Sequence, residues 1–567
     1  MLSVSGKNWN ETAINKRIIE KIKNDNNFSE ILSKILISRK FDQIEINSIK
    51  HNIEIFNPFI KNHDFIKGFK ILEDSIKKRE KIVIIGDYDV DGCVSTSLFV
   101  DFFNLIKKEV KYYIPNRFID GYGASLRLVK KIIKKKPDLI IMLDCGSNNQ
   151  ESVEFLDSKN IKSIIIDHHE IYRPYPKSGC LINPKKECTY NEFDYLCTSS
   201  LSYFFINSFI KENNLKILFQ KNLIFVLLAS ICDVMPLRRL NRVIAIKIFN
   251  NLDKYNNYII SKILELKKIK RQLEINDLGF IIGPILNSAG RLGDANKIVE
   301  LITSKNFEIK NKIINQIITL NEKRKAIELD YIRKIKFNEI SKINENVLVL
   351  HERIINEGII GIIASRLKDY FDKPSIVLSP TGNEYKALAR STLNFNIGRF
   401  IKQAIDRNII IKGGSHNLAA GFIISKKKIN EFKVFINNAF TKNKSVHLNE
   451  YISKISPNAI NTEFYKNFNK AGPFGPNNNN PVFLIENMKI FKPKIIQNKF
   501  VSFYAKSKSG KLFPSISFNF LESEVNKTIL FNKNEMSLIV QLKENIWNNK
   551  KKLQLIVLDA ITNPNKA

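Results

Sequence analysis

Hydrophobic and polar positions fall in blocks along the middle of this chain. Ile82 to Ile85, Leu139 to Leu143 and Ser163 to Ile166 are short, nearly unbroken apolar runs, mostly β-branched, and each is followed by polar residues. A run without polar alternation leaves no face for water, so each reads as a strand buried on both sides. The residues between them, such as Cys93 to Phe103, read as helices. Strands alternating with helices from Lys81 to about Asn250 predict a doubly wound α/β domain around a parallel sheet. A fourth run, Leu223 to Ile231, reads as strand or helix. A second α/β unit follows, with strands Val347 to Leu350 and Ser375 to Leu378 around a helix Ile362 to Tyr370 that Gly358 to Gly361 opens. Between the two units, Ile309 to Phe337 carries Ile313, Ile317, Leu320, Ile327, Tyr331 and Ile335 at helical spacing, a narrow stripe that reads as packing on a long connecting helix. Beyond the break at Ala471 to Pro476 and Asn477 to Asn480, the runs Val501-Phe503, Ile516-Phe518-Phe520, Leu538-Val540-Leu542 and Leu553-Leu555-Val557 alternate with period two. That pattern predicts a small antiparallel barrel. Residues up to about 70 read as a polar helical lead-in, and the remaining boundaries fall near 71–300, 301–340, 341–447 and 448–567.

The chemistry lies where the buried runs end. Ile85 leads into Gly86-Asp87-Tyr88-Asp89-Val90-Asp91-Gly92, Leu143 into Asp144, Ile166 into Asp167-His168-His169, and the run near Leu223 into Asp233. One Asp-rich turn is common. Acids and imidazoles at successive strand ends are what a parallel sheet needs to build a site along its carboxyl edge. Alternate residues on an extended turn point the same way, so Asp89 and Asp91 are expected to converge. Crowded carboxylates repel, and a divalent metal is the simplest remedy. Oxygen and imidazole donors suit Mn or Mg rather than thiolate-rich structural zinc. Two arginines and one Gly-rich stretch are candidates for phosphate contact. Arg117 lies in the turn-rich loop Pro115 to Gly123. Arg291 ends Leu286-Asn287-Ser288-Ala289-Gly290-Arg291, where small residues would let a backbone approach a ligand. Arg390-Ser391 and then Gly413 to Phe422, which holds His416, supply the polar content of the second unit, and the latter stretch reads as a Gly-rich loop able to grip phosphate through backbone N–H groups. A surface arginine in a turn, or a tight packing turn, would look the same.

Composition changes the picture in one respect. Ninety Lys and Arg against 56 Asp and Glu give a net charge of +34, for which a polyanion is the natural partner. Part of that excess is a general overuse of Lys, Ile and Asn. Lysines interleaved with aromatics in the tail would suit single-stranded nucleic acid, although such aromatics serve equally as core. Length and 44% apolar content exclude a disordered chain. Met1 to Asn10 lacks the apolar centre of a signal peptide, and no run is long enough to span a bilayer. The six cysteines (Cys93, Cys145, Cys180, Cys188, Cys197, Cys232) form no C-x-x-C pair, and Cys145 and Cys232 beside acids read as small buried side chains. A cytoplasmic protein without disulfides is expected.

In combination and in order, Gly86 to Gly92, Pro115 to Gly123, Asp144-Cys145-Gly146, Asp167-His168-His169, Asp233-Val234-Met235-Pro236-Leu237, Leu286 to Arg291, Gly358 to Gly361 and Gly413 to Gly421 resemble the DHH phosphoesterases. From about residue 70 to 560 the chain is similar to that family's bacterial single-strand-specific DNA exonucleases. The resemblance implies a DHH domain, a connecting helix, a DHHA1 domain and a C-terminal OB-fold. The implied activity is 5′-to-3′ removal of nucleotides from single-stranded DNA with two Mn or Mg ions, in recombination and repair. It also implies a monomer working beside a helicase and a single-strand-binding protein. Carried over by residue, Asp89 and Asp91 would hold one metal each, Asp144 would bridge the pair, and His168 and Asp233 would complete the second metal's shell. Asp87, Asp167 and His169 would orient ligands or touch the scissile phosphate, with Arg117, Arg291, Arg390 and His416 binding phosphate. Cys145 stands where Asn is usual, Thr198 and Ser200 where glycine is, and Ser415 within a loop that often reads Gly-Gly-His. Two other readings compete: a phosphodiesterase of dinucleotides, and a non-enzymatic DNA scaffold.

Overall fold

The computed structural model describes residues 1–50, 55–121, 123–171, 173–186, 191–334, 345–351, 356–443, 449–497, 499–547 and 550–562. They form two compact units, one made of Ile55–Met235 and Lys247–Ser445, the other of Met1–Glu54, Pro236–Ile246 and Val446–Ala567.

In the first of these units the apolar runs do become a buried parallel sheet. Its order is Lys111–Tyr113, Ile82–Ile85, Leu139–Leu143, Lys162–Ile166, Cys180–Ile182, with every neighbouring pair parallel. Ile82–Ile85 and Leu139–Leu143 are buried at every position, as runs without a polar face require. The register places Ile85 beside Met142, Leu143 beside Ile166 and Ile166 beside Ile182, so the strands run out side by side. Whatever follows each strand is delivered to one edge. The ambiguous fourth run is a helix, Leu223–Cys232, buried from Leu223 through Ser230 among the helices Val90–Leu105 and Thr198–Glu212. A helix apolar all round is stable only when enclosed in this way.

The connecting helix spans Phe307–Lys334, with Ile313, Ile314 and Ile317 buried; residues 335–337 of the expected helix lie outside the described residues. Glu328, held within the helix by Arg324 Nη1 at 2.8 Å, anchors it to the α/β domain that follows by accepting from Arg366 Nε at 2.8 Å. The second sheet runs Lys412–His416, Ala419–Ser425, Glu384–Arg390, Ser375–Thr381, Leu348–His351. Here the expected Gly-rich loop around Gly413 is a correction. Gly413 and Gly414 pair with Phe422 and Gly421 in an antiparallel hairpin, and a Cβ on Gly413 would stand 2.7 Å from the Gly421 carbonyl oxygen. That glycine permits close strand pairing rather than an anion grip.

In the other unit, Ser453–Lys454, Phe483–Ile496, Phe500–Lys506, Leu512–Ser517, Lys550–Thr562 and Met536–Trp547 pair in that order, and Phe483–Ile496 also pairs with Met536–Trp547. The second pairing closes the sheet into a barrel. Val501, Phe503 and Ala505 point into its core while Tyr504 and Lys506 face out. Residues 1–54 are part of this unit rather than a separate lead-in. Trp9–Glu11 pairs in parallel with Asn449–Tyr451, and Leu32, Ile35 and Leu36 of the helix Glu30–Ser38 share the barrel's core. Ser3 Oγ and Trp9 Nε1 donate to the buried carboxylate of Asp559 at 2.7 and 2.9 Å. Among the described residues no helix is long and apolar enough to cross a membrane.

Candidate metal and phosphate site

Each strand end presents its acid through a specific local device. The strand ends at Ile85, and after a bend Asp89 caps the helix Val90–Leu105 by accepting from Gly92 N at 3.0 Å. Gly92 is required because a Cβ there would lie 2.5 Å from the Asp87 backbone nitrogen. Since the helix starts at Val90, Asp89 and Asp91 do not follow the strand alternation expected of them, and they enter different groups of donor atoms. After Leu143, Asp144 takes a left-handed backbone (φ 61°), a conformation Asp tolerates better than most residues. Val234 does the same beside Asp233 (φ 57°), a genuine outlier for a β-branched side chain and one of a kind that clusters at functional sites.

These devices gather the expected acids and imidazoles into one cluster. Among the described residues, three sets have donor atoms mutually within 4.8 Å: Asp87, Asp89 and Asp144; Asp91, His168 and Asp233; and Asp144, His168 and His169. His168 Nε2 lies 3.3 Å from Asp233 Oδ2, 3.5 Å from Asp144 Oδ1 and 3.9 Å from Asp91 Oδ2. Donors sharing one octahedral ion at about 2.1 Å stand about 3 Å apart when adjacent and about 4.2 Å apart when opposite. The spacing and the oxygen and nitrogen donors therefore fit a divalent cation. Asp87, Asp91, Asp144 and His168 are buried, whereas Asp233 and His169 keep 29% and 28% of their side chains exposed and mark the open side.

Asp167 has a different job. Its carboxylate accepts from the backbone N–H of Ser147, His168 and His169 at 3.1, 2.8 and 3.2 Å, and its Oδ1 stands 2.7 Å from His169 Nδ1. It orients the His169 imidazole, fixes the backbone that carries His168, and joins none of the three donor sets. The electrostatics separate it from its neighbours. Burial, then Asp89, pushes the Asp87 carboxyl up to about 8. Burial and the neighbouring aspartates also raise Asp91, Asp144 and Asp233 above the ordinary carboxylate range. Burial opposes ionisation of Asp167 too, but the charge and hydrogen bond of His169 outweigh it and hold that carboxyl low. Burial would likewise lower His169, yet Asp167 lifts it to about 9. So the Asp167 and His169 pair is self-neutralised, while Asp87, Asp91, Asp144 and Asp233 resist ionisation until a cation joins them.

Three arginines meet nearby. The Arg117 guanidinium lies 4.0 Å from the centroid of the Tyr88 ring, and Arg291 Nη1 donates to the Gly358 carbonyl at 3.0 Å. Burial, then Arg117 and Arg390, pulls the Arg291 pKa down to about 10. Like charges held together in this way favour an anion between them. For His416, the backbone pairs with Ala419, while its side chain and that of Ser415 lie outside the described residues, as does Cys188. The small residues before Arg291 correct a second expectation. They form the helix Gly283–Leu292, and the backbone that comes close to Gly290 is that of Tyr88: a Cβ there would sit 2.1 Å from the Tyr88 carbonyl oxygen.

Sequence reasoning missed several supports. Thr198 and Ser199, at the start of the helix Thr198–Glu212, donate their backbone N–H groups to the two oxygens of Asp91, each at 2.8 Å. Thr198 Oγ1 donates to Asp144 Oδ1 at 3.0 Å, Gly123 N donates to Asp87 Oδ1 at 3.3 Å, and Val90 N donates to Asn287 Oδ1 at 3.2 Å. Every one of these partners is far away in sequence, so no local pattern marks them.

Comparison with known proteins follows the same division. Residues 81–231 match the model of the DHH family, N-terminal domain, residues 344–442 that of the DHHA1 domain, and residues 453–559 that of the RecJ OB domain. The single-stranded-DNA-specific exonuclease RecJ of Bacillus subtilis is 28% identical over 549 residues, 94% of this chain and 68% of that protein. Its counterpart in Escherichia coli is 26% identical over 524 residues, 87% and 89% of the two chains. The crystal structure of RecJ from Thermus thermophilus in complex with Mn²⁺ shares the fold, with a TM-score of 0.81 and 17% identity over 98% of this chain and 80% of that one. With all three domain models matched in sequence order, this chain belongs to the DHH/DHHA1 phosphoesterase family, in its RecJ branch.

Proposed function

We propose that this chain hydrolyses phosphodiester bonds of single-stranded DNA from a 5′ end, using two divalent cations, Mn²⁺ or Mg²⁺. The observation that carries the reading is the convergence of four aspartates on His168 and Asp144 at one sheet edge, with donor spacings that suit shared cations. Asp87, Asp89 and Asp144 would hold one ion, and Asp91, His168 and Asp233 the other, with Asp144 between them. When bound, such cations stabilise charge on the attacking and leaving oxygens and make water acidic enough to attack near neutral pH. The chain's own residues do the remainder. Asp167 fixes the His169 imidazole and the His168 backbone, leaving His169, on the open side, to face the scissile phosphate. Arg117, Arg291 and Arg390 would bind substrate phosphate, and His416 would serve as a further substrate contact. On the barrel, Phe491, Tyr504 and Pro514 stand in one cross-strand row, flanked by Lys489 and Lys506. Exposed rings beside lysines suit successive stacked bases.

A strand-specific exonuclease needs unwound substrate, which makes a helicase and a single-strand-binding protein fitting partners. A role in recombination and repair, a monomeric state and a cytoplasmic location complete the proposal. The match of residues 453–559 to the RecJ OB domain favours a polymer over a dinucleotide substrate. The test is incubation of the purified chain with end-labelled single-stranded, double-stranded and dinucleotide substrates, with Mn²⁺, Mg²⁺ or chelator. Metal-dependent loss of the single strand from its 5′ end is expected. Preference for the dinucleotide, or hydrolysis that survives chelation, would overturn the reading.

A further inference from the structure

Thr198 touches both halves of the acidic cluster. It is fully buried and opens a 15-residue helix whose first N–H groups, those of Thr198 and Ser199, grip Asp91. Those donors belong to the backbone and exist whatever side chain stands there. The hydroxyl is different. Thr198 Oγ1 reaches Asp144, which follows another strand and takes a left-handed backbone. Asp91 belongs to the donor set with His168 and Asp233, and Asp144 to the set with Asp87 and Asp89 as well as to the one with His168 and His169. A single rigid residue therefore fixes one carboxylate of each set.

We propose that Thr198 is a positioning residue for metal binding: its hydroxyl locks the Asp144 carboxylate while its N–H locks Asp91, so that Thr198 sets the spacing between the two donor sets. This inference rests on the metal-site reading above. One oxygen of Asp144 accepts the hydroxyl proton, which leaves the other oxygen and the remaining lone pair to face a cation in a fixed direction. Threonine suits the task because its β-branch restricts χ1 and the site is fully packed. Hydrogen bonds that orient a metal ligand are commonly worth about 10- to 100-fold in metal affinity.

The full chain is titrated with Mn²⁺ alone, by calorimetry and by the electron paramagnetic resonance of free Mn²⁺, so no turnover is needed. Thr198→Val keeps the branch and removes the hydroxyl; Thr198→Ser keeps the hydroxyl. The expected result is a Mn²⁺ affinity about 10- to 100-fold weaker in Thr198→Val and close to parental in Thr198→Ser. Thr198→Ala, smaller than either, takes the place of Thr198→Val if thermal melting without metal shows that valine is not accommodated. Parental affinity without the hydroxyl, or equal weakening in Thr198→Ser, overturns the inference. Absence of Mn²⁺ binding by the parent chain overturns the metal-site reading itself, and is seen before any variant is compared.

Discussion

Gly290 carries no functional group, yet replacing it should disable the site. A Cβ at this position would lie 2.1 Å from the Tyr88 carbonyl oxygen, in the turn between Asp87 and Asp89. An ordinary close C···O approach is about 3.3 Å, so Gly290→Ala requires the helix and the turn to separate by about 1.2 Å. The helix cannot easily retreat. Ile285, Leu286 and Ala289 are buried, and Ser288 Oγ bonds the Ile317 carbonyl of the connecting helix at 3.0 Å. Close-packed interiors transmit such strain rather than absorb it, so the acidic turn moves. Overpacking of this kind costs about 1–3 kcal/mol, too little to unfold a chain with about 5–15 kcal/mol of stability. A misplacement of about 1 Å near reacting groups is enough for about a 100-fold loss of rate. Gly290→Ala should therefore fold, lose about two orders of magnitude in single-turnover hydrolysis of a 5′-phosphorylated strand, and bind Mn²⁺ more weakly. A folded variant with parental rate and parental Mn²⁺ affinity would refute the clamp.

Three further outcomes follow from the same geometry. Asp87, pushed up to about 8 from about 3.9 in an unfolded chain, and His169, raised to about 9, both hold protons more tightly when folded. Their contribution to stability is complete below the unfolded values and is lost as pH rises through about 8 and 9. The metal-free chain should melt progressively lower from about pH 5 to 9 while apparent Mn²⁺ affinity increases, and a melting temperature that climbs over that range contradicts the assignment. Arg291→Lys keeps the charge but loses the planar fork, so KM for a 5′-phosphorylated strand should rise at least about tenfold, and an unchanged KM would remove Arg291 from the phosphate site. Tyr504→Ala should weaken binding of a long single strand, read by fluorescence anisotropy, by about 1–3 kcal/mol, and no change would show that the barrel's exposed rings carry no bases.

The parallel sheet was legible because Ile82–Ile85 and Leu139–Leu143 have no polar face, and the site because an acid follows each such run. Leu223–Cys232 was not decidable, since an almost wholly apolar segment of ten residues is as stable in a buried helix as in a strand, and only the enclosing helices Val90–Leu105 and Thr198–Glu212 decide. Glycines misled for a related reason. Gly290 and Gly413 do mark close backbone approach, but the neighbours are Tyr88 and Gly421, which local pattern cannot name. The same holds for the N-terminal residues, which read only as polar helical segments because their partner, the barrel, lies more than four hundred residues downstream. Thr198 illustrates the limit most clearly: it was noticed only as a side chain where glycine is usual, and its two carboxylate partners are 107 and 54 positions away.

The count of cations per chain tests the central claim most directly. Chelator-treated protein, titrated with Mn²⁺ and assayed in parallel on an end-labelled single strand, should bind two ions, with hydrolysis tracking their occupancy, and Asp144→Ala should abolish both. A chain that binds no Mn²⁺, or one that digests the strand equally well after exhaustive chelation, would contradict the account.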